Sequence, residues 1–161
     1  MGSWTNWLII IAVVALAVGP VMMFQPSAGQ KKLARMRALA NRQGVRVSLA
    51  SKAMAELVGS ACYSLPWVDP SLQGLCWQLV RKSYSHGLHL NEFWSWQSDA
   101  ASAPAISVLS QQLALLPESV KSVIASPAGL GVYWKESGSE QELVFLLAWL
   151  HETQLKLKAA G

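Results

Sequence analysis

The sequence predicts an α+β protein in which a single N-terminal transmembrane helix is followed by a small antiparallel sheet packed against two to three helices. Three observations carry that expectation. Residues 7–24, WLIIIAVVALAVGPVMMF, hold no charge and with Trp4 reach far enough to cross a hydrocarbon core of about 30 Å at about 1.5 Å per residue. Short runs alternating apolar and polar residues recur between positions 45 and 134. A leucine stripe at helical spacing closes the chain.

The chain has 161 residues, room for one span and one domain of ordinary size. Its net charge of +4 is unevenly spread. Residues 1–55 carry seven basic side chains and no acidic one, whereas residues 56–161 carry six basic and nine acidic. A nucleic-acid binder concentrates positive charge on its folded surface, so nucleic acid is not an expected partner. Basic residues beside a span stay on the cytoplasmic side. The predicted localisation is therefore the bacterial inner membrane, single-pass, with the N-terminus out and the C-terminal domain cytoplasmic. A cleaved secretory signal is the rival reading, but MGSWTNW lacks the basic residue such a leader needs. In a reducing compartment Cys62 and Cys76 stay unpaired.

Three segments follow from this: an anchor over 1–25, a basic juxtamembrane helix over 26–43 and an α+β domain over 44–161. Trp4 and Trp7 suit the outer interface. Gly19-Pro20 introduces a kink, and small residues along the span offer a surface for another helix. Leu33, Met36 and Leu39 recur at helical spacing among Lys31, Lys32, Arg35, Arg37 and Arg42, with Gly44 as the cap. Those five cations form a lipid-facing basic helix, membrane lipids being the expected partners of span and helix; otherwise they serve only as the flank that sets topology.

The layout of roughly the first fifty residues, with Pro26, Lys31, Lys32, Arg35, Met36 and Gly44-Val45-Arg46-Val47 leading into a strand, resembles the small single-span ancillary subunit of the bacterial Sec translocase. The resemblance implies a translocase-ancillary-like membrane subunit. It assigns no functional residue, and the tryptophan-rich remainder lies outside it.

Strands are expected at 45–49, 61–67 and 75–81, the last two as an antiparallel pair, with a helical turn over 51–58. His86, His89 and Glu92 fall at three-residue intervals, placing them on one side of a helix within reach of a zinc or iron ion. Gly87 interrupts that helix and no fourth ligand is evident, so surface or turn residues are the competing reading and no metal or cofactor is assigned. Trp94 and Trp96 share one face of a strand. With Trp134 they are either core or aromatic anchors for a partner protein, tryptophan being common at interface hot spots.

Pro104 opens a helix marked by Ile106, Leu109, Leu113 and Leu116. Pro117 ends it and is expected to start another, with Val120, Val123 and Ile124 facing inward. A strand follows at 130–136. Ser139 and Glu142 make a capping box before a last helix carrying Leu143, Leu146, Leu147, Leu150 and Leu157, with Glu140 at its start and Lys156 and Lys158 at its end. His151 sits beside that stripe.

Phosphate loops, dinucleotide fingerprints, nucleophile elbows and zinc fingers are absent from the sequence. The expected role is a non-catalytic accessory, assembly or scaffold subunit that presents a protein-binding domain at the membrane. A membrane-tethered metal-dependent enzyme using His86, His89 and Glu92 is the alternative from another class.

Overall fold

The structure is a computed structural model describing residues 2–23, 27–50, 57–82, 90 and 93–160, with side chains of the first helix described as far as Leu16. Among these residues it contains four α-helices, α1 (Ser3–Met23), α2 (Ala28–Arg42), α3 (Ala103–Leu113) and α4 (Glu140–Ala160), and six strands. The strands are β1 (Arg46–Leu49), β2 (Ala61–Leu65), β3 (Trp77–Arg81), β4 (Trp94–Trp96), β5 (Val120–Ser126) and β6 (Gly129–Trp134). A short 3-10 helix covers Pro70–Gly74. The chain divides into two compact units, Met1–Arg35 and Met36–Gly161.

The first unit corrects the topology expected from sequence. Among the described residues no helix is long and apolar enough to cross a membrane, so the transmembrane anchor, the single-pass inner-membrane placement and the cytoplasmic side deduced from it are not supported. The apolar run that α1 carries begins only at Trp7. The first turn of α1 spends Ser3, Thr5 and Asn6 on polar groups.

The second unit is built on one antiparallel sheet of order β1-β2-β6-β5-β3-β4. The hairpin β5–β6 occupies the centre and turns through Pro127-Ala128, with Ser126 opposite Gly129. Gly129 has φ +152°, and a Cβ there would overlap the Leu65 carbonyl of β2. Only glycine lets the three strands close at that corner. The expected pairing of residues 61–67 with 75–81 does not occur: β2 pairs with β1 and β6, and β3 with β4 and β5.

Val120, Val123 and Ile124 lie in β5 rather than in the helix expected after Pro117. Their β-branched side chains are stiff in a helix and pack well on a pleated surface, and two neighbouring strands saturate their backbone. α4 matches its expected extent closely. Leu143, Leu146, Leu147, Leu150 and Leu157 are all in the core. Ser139 Oγ accepts from the Glu142 amide at 3.1 Å, but the Glu142 carboxylate turns away from the reciprocal bond and accepts from the Trp134 indole at 2.8 Å and from the Ser119 hydroxyl. The helix start is thus tied to the ends of β6 and β5.

One face of the sheet carries the core. Ala61, Tyr63 and Leu65 from β2, Leu130, Val132 and Trp134 from β6, Val123 and Ala125 from β5, and Trp77 and Leu79 from β3 join α3 and α4 in one apolar cluster. α2 reaches the same cluster through Met36 and Ala40. The helix pair α3–α4 is pinned by the Trp149 indole, which donates to the Gln112 carbonyl at 2.9 Å.

Candidate interaction surface

The register that puts Tyr63, Val132 and Val123 on the core side puts their strand neighbours on the opposite face. Ser48, Cys62, Tyr133 and Ser122 form one cross-strand row there, and Ser64, Gly131, Ile124 and Gln78 the next. Cys62 and Val80 are buried yet lie outside the core cluster, and Ile124 and Tyr133 are half-buried and outside it as well. Both faces of the sheet therefore carry buried side chains. Gly131 lets its neighbours close over the middle of this face, where a Cβ would press on Cys62 Sγ, Ile124 Cγ2 and Ser64 Cβ at 3.2 to 3.4 Å. Burial pushes the Cys62 thiol up to about 11, with hydrogen bonds involving Tyr133 and Ser48 acting the other way. It is a poor nucleophile at neutral pH. Both cysteines are free thiols, Cys62 buried and Cys76 exposed.

The tryptophans singled out from sequence sit elsewhere. Trp94 is 1% exposed and Trp134 fully buried, both in the core cluster, and Trp96 is half-buried against it. Trp96 meets Trp77 edge to face, and Trp134 meets Tyr63 in the same way. The rings build the domain from inside. The sheet's second face carries smaller apolar groups, whose signal in the sequence is the out-of-phase set Cys62, Ile124 and Tyr133 in strands with large core residues between them.

Of the basic residues on α2, Lys31, Arg35 and Arg42 are exposed and Lys32 is half-buried. Arg37 points into the domain. Its Nε and Nη2 donate to Glu136 at 2.8 and 2.5 Å, and the Tyr63 hydroxyl donates to the same carboxylate at 2.7 Å. Burial alone would raise the Glu136 carboxyl, but Arg37 and Tyr63 outweigh it and hold the group below its usual range. The Tyr63 phenol is pushed up by burial and by the adjacent carboxylate. Arg37 is a clamp between helix and sheet.

A second polar feature lies at the far end of β3 and β5. Arg81, Lys82, Phe93, Glu118 and Lys121 line an open cavity of about 540 Å³. Arg81 lies over the Trp94 ring at 5.3 Å and donates to the Pro117 carbonyl at 2.7 Å, and burial lowers its pKa. Lys121 donates to the Glu118 carbonyl at 2.8 Å. These cations brace the turn between α3 and β5.

His86, His89 and Glu92 lie outside the described residues. Among the described residues no cluster of three or more histidine, cysteine or acidic side chains is placed to hold a metal ion. No family model, no curated protein and no solved structure matches this chain.

Proposed function

We propose that this chain is a non-catalytic accessory, assembly or scaffold subunit whose Met36–Gly161 unit binds another protein through the second face of its sheet. The observation that carries the reading is the two-sidedness of that sheet. One face is sealed by the core, whereas the other presents half-buried Ile124 and Tyr133 beside Ser64 and Gln78, around the close-packed Gly131. Such a mixture of apolar and hydrogen-bonding groups on a rigid sheet has the composition of a non-obligate protein interface. The aromatic ring of Tyr133 supplies the kind of anchor that dominates binding energy at such interfaces. A carboxylate in the middle of the patch would have to be desolvated on binding.

Affinity capture of the tagged full chain, with mass-spectrometric identification of what is retained, tests the reading. A stoichiometric protein held by the parent and lost with Ile124→Glu, while the variant keeps its circular dichroism and melting profile, is the expected result. A particle that stays partnerless, or a partner indifferent to both Ile124→Glu and Tyr133→Ala, overturns it.

A further inference from the structure

The end of β3, the start of β4, the bend before β5 and the first residues of β5 meet around the cavity of about 540 Å³ lined by Arg81, Lys82, Phe93, Glu118 and Lys121. Arg81 is the last residue of β3 and stands opposite Trp94 of β4. Its guanidinium lies over that indole at 5.3 Å, while Nη1 and Nη2 donate to the Pro117 and Leu116 carbonyls at 2.7 and 3.5 Å. All of these partners are uncharged. Among the described residues no carboxylate forms an ion pair with Arg81. Burial lowers its pKa by more than the nearby Glu118 carboxylate raises it, so a positive charge fixed in place is only partly compensated.

Lys121 is aimed by the backbone. On β6, Trp134 faces Val120 and Tyr133 faces Ser122, which leaves Lys121 as the extra residue of a β-bulge. Val120 and Val123 both stay in the core across that irregularity, and Lys121 is turned to the cavity instead. Re-aiming a side chain beside a site is a recurrent use of such bulges. Its ammonium also meets a neutral acceptor, the Glu118 carbonyl at 2.8 Å. Phe93, 54% exposed, adds an apolar wall, and its carbonyl accepts from the Lys82 amide at 2.8 Å.

We propose that this cavity binds a small phosphate monoester carrying a flat ring, with the phosphoryl group between Arg81 and Lys121 and the ring against Phe93. A guanidinium fork beside an ammonium suits the several acceptor oxygens of a phosphoryl group better than a lone carboxylate. Such a group carries a charge of about −1.5 to −2 at neutral pH, enough to balance both cations. The Glu118 carboxylate repels a second anionic group and so restricts the ligand to one phosphoryl. The cavity is of a size usual for small-molecule sites, about 300–1,000 Å³. Because the guanidinium is already held by Trp94 and two carbonyls, little of its ordering has to occur on binding. None of the residues assigned to protein binding takes part.

Calorimetric titration of the full chain with phenyl phosphate, in a mild detergent that keeps the exposed apolar side chains of α1 dispersed, is the test. The parent is expected to bind saturably, and more weakly as salt is raised. Lys121→Gln, at a half-buried position outside the core, should weaken binding about tenfold, and Lys121→Arg should restore it. Phe93→Ser should weaken phenyl phosphate about fivefold and leave inorganic phosphate unchanged. Ile124→Glu should have no effect. Absence of saturable heat at millimolar phenyl phosphate overturns the proposal, as does binding indifferent to both Lys121→Gln and Phe93→Ser. Benzoate binding as tightly as phenyl phosphate overturns the choice of a phosphoryl group. A phosphotyrosyl peptide binding more tightly than phenyl phosphate overturns the assignment to a free small molecule.

Discussion

Glu136→Gln removes one charge from the clamp between α2 and the sheet while keeping its shape. The parent carboxylate accepts three hydrogen bonds, two from Arg37 and one from Tyr63. A hydrogen bond to a charged group is worth about 1.5–3 kcal/mol and a neutral one about 0.5–1.5, so each bond from Arg37 loses about 1 kcal/mol. The Arg37 side chain is 35% exposed and the Glu136 side chain 11%, so water recovers part of the guanidinium's loss but little of the carboxylate's. The amide also presents a donor to a site lined by donors, leaving Tyr63 or Arg37 unmatched. The net loss is about 2 kcal/mol. Urea unfolding followed by tryptophan fluorescence measures it, and a double-mutant cycle with Arg37→Ala isolates the pair at about 1 kcal/mol or more of coupling.

The pH dependence has a definite sign. Because the folded protein holds this carboxyl below its ordinary value of about 4.3, the unfolded chain binds the proton more readily in acid. The clamp's contribution is complete above that unfolded value and is lost as pH falls through the lower folded one. The parent's urea midpoint should therefore drop more steeply than that of Glu136→Gln below about pH 5. A variant within 0.5 kcal/mol of the parent at pH 7, with no coupling to Arg37, refutes the reasoning, since loss of a clamp worth about 2 kcal/mol could not leave so little trace.

Gly129→Ala should cost about 1–3 kcal/mol by forcing the hairpin away from the Leu65 carbonyl, read as a lowered melting temperature. Trp149→Phe strips the α3–α4 pin from the Gln112 carbonyl and should lose about 1–2 kcal/mol in the same urea assay. Ser60→Ala removes a buried hydroxyl that has no hydrogen-bond partner among the described residues, so it should be neutral or slightly stabilising. With a disulfide reagent at pH 8, Cys76 should react quickly and Cys62 only after denaturation, since its thiol is buried and pushed up to about 11.

What could be read from the residues alone divides by the range of the forces involved. α4 was legible because a leucine stripe, acidic start and basic end are all local, and the strand at 61–65 was legible from its composition. β5 differs from the expectation because Pro117 followed by Val120, Val123 and Ile124 fits a helix start as well as a strand, and only pairing with β3 and β6 decides between them. The Arg37–Glu136 clamp joins residues ninety-nine apart and has no local signature. On sequence Arg37 looks like its neighbours, one more cation on a basic helix. The second face of the sheet was equally hidden, since which of two alternating sets faces the core depends on where the helices land.

The strand order carries a consequence for biosynthesis. β5 and β6 stand in the middle of the sheet but are the last strands to leave the ribosome, after β1–β2 and β3–β4 have already been made. Until residue 134 has emerged, those two earlier ribbons have nothing to join them, and each offers an unpaired edge to whatever is near. The hairpin is then a keystone dropped between two waiting halves, and α4, which follows it along the chain, closes the structure behind it.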